Sequence, residues 1–322
     1  MVLKKMDNLL QAVGNTPLVR LNCITEGIKS EIWAKLEFMN PGGSIKDRIA
    51  VYMVEKAEKE GRLKPDDIIL ENSSGNTAMG LAVVALHKGY RCKIVIRDTT
   101  SREKIRMLEN LGAELILVDA SLPPENENSY NNYARKLAAE TPNCLYIDQH
   151  NNLDNNEAHY KTTGPEIWEQ MEGKIDYFVA GIGTGGTVCG AGKYLKEKDP
   201  NIKVIAIDPV GSVFYDYFKT GKLIRPSRYK IEGLGDEFIL KTTQFEYIDD
   251  MIQVKDETAF EYTLKLAREE GIVAGGSSGA AIYGVLKLAS ELKEPARIVT
   301  ILPDSGYKYF SSIFSVNKIQ NA

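Results

Sequence analysis

The sequence predicts an α/β fold in two domains, each built on a mostly parallel sheet. Three observations lead there. The chain has 322 residues, more than one simple core holds at roughly 150 residues per domain. Short apolar runs alternate with helix-length amphipathic stretches, the pattern of parallel strands joined by crossover helices. Several strand-to-helix junctions are rich in Gly, Ser and Thr, and right-handed crossovers gather such junctions on one sheet edge, where ligands bind.

Taken in order, strands are expected at residues 32–36, 68–71, 93–96, 114–118, 177–182, 204–207 and 298–302. Helices are expected at 48–60, 76–88, 102–111, 131–140, 190–198, 257–270 and 279–292. The polar, turn-rich segment 121–132 reads as a surface loop. Residues 211–236, rich in Tyr, Phe, Lys and Arg, read as an irregular stretch long enough to be functional.

Composition narrows the function classes. Hydrophobic residues at 43% and charged residues at 26% fit an ordinary globular chain. A net charge of -4 provides no basic excess for nucleic acid. No apolar run is long enough to span a bilayer, and the charged N-terminus lacks the apolar core of a signal peptide. A cytoplasmic protein with neither nucleic-acid nor membrane partners is expected. Cys23, Cys92, Cys144 and Cys189 are widely spaced and form no C-x-x-C pair, so reduced thiols are expected. His87, His150 and His159 lack metal-ligand spacing, and no metal site is expected.

Five motifs carry candidate chemistry. In Asn40-Pro-Gly-Gly-Ser-Ile-Lys46-Asp-Arg48 a turn delivers Lys46 to a helix start. A helix N-terminus opposes a nearby positive charge and lowers a lysine pKa, as Schiff-base chemistry requires; an ordinary solvated first-turn lysine is the alternative. Glu71-Asn-Ser73-Ser74-Gly75-Asn76-Thr77 offers hydroxyls and free N–H groups to an anion such as a carboxylate, or is a cluster of helix caps. Gly181-Ile-Gly183-Thr184-Gly185-Gly186-Thr187 has strand–loop–helix context for phosphate. Asp208 ends the next expected strand, about 20 residues on, as a dinucleotide site would have it. A nicotinamide-dependent dehydrogenase therefore stays open, as does simple close packing. Gly275-Gly-Ser277-Ser278-Gly279-Ala280-Ala281 allows close backbone approach and puts Ser277 or Ser278 where a ring nitrogen is bound, or where a helix is capped. Leu302-Pro-Asp304-Ser-Gly306 is a polar turn on the same edge.

In this order, and starting from Gly14-Asn15-Thr16-Pro17-Leu18, the motifs resemble the cysteine synthase and cystathionine β-synthase family, the β-family (fold type II) of pyridoxal-phosphate (PLP) enzymes. The resemblance implies two three-layer α/β domains with PLP in the cleft between them. Residues 1–41 and 156–322 would form the large domain, and 42–155 a smaller mobile one. It implies that Lys46 is the Schiff-base lysine and general base, and that Asn76 sits beside the cofactor's 3′ oxygen. Gly183, Thr184, Gly185, Gly186 and Thr187 would hold the phosphate. Ser277 would face the pyridine nitrogen, and Ser73, Ser74, Thr77 and Gln149 would hold the substrate carboxylate.

The implied reaction is β-replacement on a small amino acid, L-cysteine or L-serine. It would form a thioether such as cystathionine, or lanthionine with release of hydrogen sulfide. Cysteine synthesis from O-acetylserine is the alternative, and a homodimer is implied in either case. The segments 40–48, 208–213 and 232–238 look closer to cystathionine β-synthases than to cysteine synthases. Glu232 would there act as acid or base near the β-carbon, or be a solvated loop residue. Two departures fall where substrate binds: Asn72-Ser73 stands where the family has Pro-Thr, and Ala78-Met79 where glycine and a smaller residue are usual. With Ala322 as its last residue, the chain is expected to lack paired regulatory modules and a haem-binding extension. A catalytically silent homologue is disfavoured by the presence of Lys46, Asn76 and Ser277 together.

Overall fold

A computed structural model describes residues 5–123 and 125–315. Among them the strands are β1 (Leu18–Arg20), β2 (Glu31–Leu36), β3 (Ile68–Asn72), β4 (Arg91–Arg97), β5 (Glu114–Val118), β6 (Cys144–Tyr146), β7 (Tyr177–Gly181), β8 (Lys203–Pro209), β9 (Asp250–Val254) and β10 (Arg297–Leu302). The helices are α1 (Lys46–Lys59), α2 (Asn76–Lys88), α3 (Arg102–Asn110), α4 (Tyr130–Glu140), α5 (Asp154–Lys161), α6 (Thr163–Gln170), α7 (Gly186–Lys198), α8 (Phe214–Thr220), α9 (Asp256–Glu270) and α10 (Gly276–Glu291).

Every strand and helix expected from the sequence forms. Six further elements do as well. β1 and β6 have three residues each, too few to show a period. β9 and α5 are polar enough to hide theirs, α6 carries Gly164 and Pro165 in its first turn, and α8 lies inside the stretch 211–236 that read as irregular. α7 and α10 begin earlier than expected, because glycines of the junctions already belong to the first helical turn. α4 starts at Tyr130, so the polar loop before it ends at Ser129.

The chain divides into two compact units. Residues 5–13 and 40–154 form the first, and 14–39 with 155–315 the second. The expectation had put residues 1–41 whole with the C-terminal half. Instead residues 5–13 group with the first unit, where the short turn Leu9–Ala12 rests against α2.

The first unit carries a four-stranded parallel sheet in the order β5-β4-β3-β6. β3 is buried along its whole length, as an internal strand covered on both faces should be. The second unit carries a six-stranded sheet, β1-β2-β10-β7-β8-β9. It is parallel except for β1, which runs antiparallel to β2 with Leu18 opposite Lys35. Its core packs α9 and α10 against the sheet through Ile207, Leu266, Ile282, Val285 and Ile298.

Both sheets are wound alike. In the first, the chain steps outward from β3 through β4 to β5 and then places β6 on the other side of β3. In the second it steps from β7 through β8 to β9 and then places β10 on the other side of β7. Strand order therefore reverses beside β3 and beside β7. The loops leaving the C-terminal ends there diverge, which opens a crevice suited to a ligand.

Candidate active site

In the first unit, Lys46 is the first residue of α1. The turn before it uses Gly43 in the left-handed region (φ 74°). The Asp47 carboxylate accepts from the Gly42 N–H at 2.5 Å, holding that turn on the helix. α1 and α2 pack closely because Gly80 has no side chain: a Cβ there would lie 3.2 Å from the Lys46 carbonyl oxygen. The first turns of the two helices, carrying Lys46 and Asn76–Thr77, are brought together in this way. Burial draws the Lys46 ammonium down to about 8, and the negative charge of Glu71 opposes that shift. The helix terminus invoked from sequence is thus not the leading cause. Glu71 is itself wholly buried on β3. Burial and the charge of Asp148 push its carboxyl up to about 8, against the N–H groups of Gln149 and Asp148.

The loop from Ser73 to Gly75 leaves β3 at the point of strand reversal and enters α2 at Asn76. The Ser73 hydroxyl accepts from the Gly75 N–H at 3.3 Å. The Thr77 hydroxyl donates to Gln149 Oε1 at 2.6 Å. Gln149 follows β6, the strand on the far side of the reversal. Ser73, Ser74, Asn76, Thr77 and Gln149, named from sequence, therefore form one cluster with the head of α1 beside it. Next to Gln149, burial draws His150 down to about 4, so its imidazole is neutral at pH 7.

In the second unit, the loop from Ile182 to Gly185 links β7 to α7, again at a reversal. Glycine is required there on steric grounds. Gly185 has φ 83°, a left-handed conformation that penalises side chains. A Cβ on Gly183 would lie 2.2 Å from the Gly233 carbonyl oxygen, and one on Gly186 would lie 1.9 Å from Asn155 Oδ1. Asn155 Nδ2 donates to Thr184 Oγ1 at 3.1 Å, and the Thr242 hydroxyl donates to the Thr184 carbonyl at 2.5 Å. Wholly buried His159 joins Thr187 (Nε2 to Oγ1, 3.1 Å) to Thr163 (Nδ1 to Oγ1, 2.8 Å).

Ser277, 5% exposed, lies in the first turn of α10. The hydroxyl of its neighbour Ser278 is buried with no hydrogen-bond partner. The turn after β10, which carried no role when read alone, packs on this helix start. The Gly275 N–H donates to the Asp304 carbonyl at 3.1 Å, and the Tyr309 hydroxyl donates to the Asp304 carboxylate at 2.7 Å. Glu232 is exposed. Together with Gly276, Phe260 and Tyr309 it lines a cavity of about 120 Å³.

The donor set fits PLP. α7 begins with N–H groups and threonine hydroxyls in a loop whose glycines leave no room for a Cβ, which suits a phosphate dianion. Lys46 is poised for carbonyl chemistry at neutral pH, and the neutral hydroxyl of Ser277 is available to a pyridine nitrogen. Asp208, the residue that kept a dinucleotide site open, is turned away from such a role. It is wholly buried, accepts from the Tyr215 N–H at 3.0 Å, and burial pushes it up to about 7. Sequence reasoning missed Glu71, Asn155, His159 and Thr242. Their partners lie far off in the chain, and no local pattern marks them.

A family model described as "Pyridoxal-phosphate dependent enzyme" matches residues 9–304. The chain is 45% identical over 314 residues to a cystathionine beta-synthase of Apis mellifera, a match that spans 97% of this chain and 62% of that protein. With the cystathionine beta-synthase of Rattus norvegicus the identity is 42%, over 97% of this chain and 56% of the relative. A cysteine synthase of Staphylococcus aureus is 44% identical over 97% of this chain and 98% of its own length. The chain thus spans about three fifths of the length of the cystathionine beta-synthases and nearly all of the cysteine synthase. Among solved structures, a hydrogen sulfide-producing enzyme from Fusobacterium nucleatum superposes with a TM-score of 0.87 at 37% identity, covering 95% of this chain and all of that one.

Proposed function

Because the chain belongs to the pyridoxal-phosphate dependent enzyme family, we propose that it catalyses β-replacement on a small amino acid such as L-cysteine or L-serine, yielding a thioether amino acid. The observation that carries this reading is the pairing of chemistries in the two units. One has an amine drawn down to about 8 beside a hydroxyl-lined loop, and the other a loop at a helix start whose glycines leave no room for a Cβ. Relatives named cystathionine beta-synthase, cysteine synthase and hydrogen sulfide-producing enzyme support the same class.

Bound PLP supplies an electron sink for the charge left at the substrate Cα. Each step then has a protein group. Gly183 to Thr187 would hold the phosphate, and Asn76 would hold the ring. The neutral Ser277 hydroxyl would hold the ring nitrogen by a hydrogen bond, without the negative charge that would keep that nitrogen protonated. Ser73, Ser74, Thr77 and Gln149 hold the substrate carboxylate. Lys46 takes the proton from Cα as general base. Glu232 moves a proton at the β-position, either to the departing group or from the incoming thiol.

Within this class the cystathionine β-synthase-like reaction comes first, including lanthionine formation from two cysteines with release of sulfide. Conversion of O-acetylserine to cysteine is the second reading, supported by the 44% identity to the Staphylococcus aureus cysteine synthase. A homodimer in the cytoplasm belongs to the same proposal; no helix among the described residues is long and apolar enough to cross a membrane.

The test is the visible spectrum of the purified protein before and after L-cysteine, with sulfide measured alongside. A cofactor band that changes with cysteine while sulfide is released supports the first reading. A response confined to O-acetylserine moves the assignment to the second, and a protein that PLP cannot colour sinks both. Glu232→Gln should leave the starting band intact and slow thioether formation by about 100-fold or more, in line with loss of one proton-transfer group.

A further inference from the structure

We propose that Asn72, with Tyr146 and Asn131, forms a positioning network that sets the affinity of the Ser73–Thr77 loop for the substrate carboxylate. The proposal rests on the carboxylate role assigned above to that loop. Asn72 is the last residue of β3 and only 1% exposed. Its amide is used at both ends and in opposite senses. Tyr146 Oη donates to Asn72 Oδ1 at 2.5 Å, and Asn72 Nδ2 donates to Asn131 Oδ1 at 2.7 Å. Both ends of the amide are therefore engaged, which holds the side chain from two sides. Tyr146 ends β6 and Asn131 lies in the first turn of α4, so a single side chain ties the root of the loop to the elements on either side.

The next residues are tied in the same manner. The Arg97 N–H, at the end of β4, donates to Ser74 Oγ at 3.1 Å. Ser74 also hydrogen-bonds the Tyr130 hydroxyl, and the Arg97 guanidinium sits 4.6 Å from the centre of the Tyr130 ring. Tyr130 and Tyr146 pack on one small core with Leu70, Val95 and Ala134. The loop is therefore held through Asn72 and Ser74 by β4, β6 and α4. A proline at position 72, as the family resemblance leads one to expect, could make neither amide bond. Asn72 adjoins Ser73 directly, so a shift of its side chain moves a carboxylate-binding hydroxyl. The carboxylate is held alike before and during the reaction, so loss of the network should appear as lost uniform binding, a raised KM with kcat kept.

The experiment uses the PLP-loaded enzyme and two variants, Tyr146→Phe and Asn72→Leu. Both should raise KM for the amino-acid substrate, Asn72→Leu by about tenfold, with kcat within twofold of the parent. The apparent Kd of L-alanine, which binds without a leaving group and is read from the cofactor band, should rise in parallel. Because Tyr146 acts through Asn72, the double variant should be no worse than Asn72→Leu alone. KM within twofold of the parent in both variants, a fall confined to kcat, or additive losses in the double variant each overturn the proposal. Should Asn72→Leu not fold, Tyr146→Phe decides alone, since it removes one donor and keeps the packed ring. Ser74→Ala separates the two levels of inference. If it too leaves KM unchanged, the carboxylate reading falls and takes the network with it. If it raises KM while Asn72→Leu and Tyr146→Phe do not, only the network falls.

Discussion

The loops after β3 and after β7 occupy the same place in two similarly wound sheets, yet they are built by opposite means. The β7 loop works by omission: at Gly183, Gly185 and Gly186 the surrounding atoms leave no room for a Cβ. The β3 loop works by addition, with Asn72, Ser73, Ser74 and Thr77 each entering a side-chain hydrogen bond. A loop made by omission has one solution, so substitutions there act as a switch. A loop made by side-chain bonds has many neighbouring solutions, so substitutions there tune it. The first suits a cofactor that stays bound, the second a substrate that differs between relatives.

The largest effect should come from the one group that neither loop can replace. Lys46→Ala should lower turnover at least about a thousandfold, as expected for loss of a general base that also holds the cofactor. Retention of the parent's rate in that variant would remove Lys46 from the mechanism. Next, Gly183→Ala drives a methyl into the Gly233 carbonyl at 2.2 Å. Such overpacking costs about 1–3 kcal/mol of stability, and the loop shift that relieves it should weaken PLP binding by roughly tenfold or more, measurable by equilibrium dialysis. If Gly183→Ala instead shifts KM by a few-fold and leaves PLP binding alone, the two loops do not differ as described.

The smallest effect concerns the amine. In the cofactor-free protein, Lys46 should become reactive towards an acylating reagent as pH rises through about 8, because only the unprotonated amine attacks. The negative charge of Glu71 holds the Lys46 pKa up, so Glu71→Gln should move the midpoint lower. Mass-spectrometric labelling of Lys46 against pH reads this directly. A midpoint near the ordinary lysine value of 10.5 would show that burial does not control the amine.

These contrasts also explain what could be read from the chain. The glycine loop was legible because steric omission is local: the glycines fall within a few residues between a strand and a helix. Lys46, Ser73, Ser74, Thr77 and Ser277 were legible as types at junctions, and their grouping came from family resemblance. The groups that hold the loops in place were not legible. Asn155 reaches Thr184 across 29 residues, His159 reaches Thr187 across 28, and Asn72 reaches Tyr146 across 74. Only the winding of the sheets sets those distances. At the level of the fold, long apolar runs such as β3 and β8 announced themselves, while the three residues of β6 did not. Yet β6 is the strand whose position beside β3 delivers Gln149 to Thr77.

The buried imidazole of His159 has one further consequence. Its two nitrogens bond two hydroxyls, Thr187 and Thr163, and a neutral ring carries a single proton. Where Nδ1 bears that proton, the hydroxyl of Thr187 must point inward to Nε2 and has no hydrogen left for an anion. Where Nε2 bears it, the Thr187 hydrogen is released towards the loop and the Thr163 hydroxyl turns to serve Nδ1. If Thr187 gives its hydrogen to a phosphate, as proposed above, a neutral ring must carry its proton on Nε2, which sets the direction of the whole Thr163–His159–Thr187 chain. Occupancy of the loop would then be readable in the nitrogen chemical shifts of His159, through its bond to Thr187.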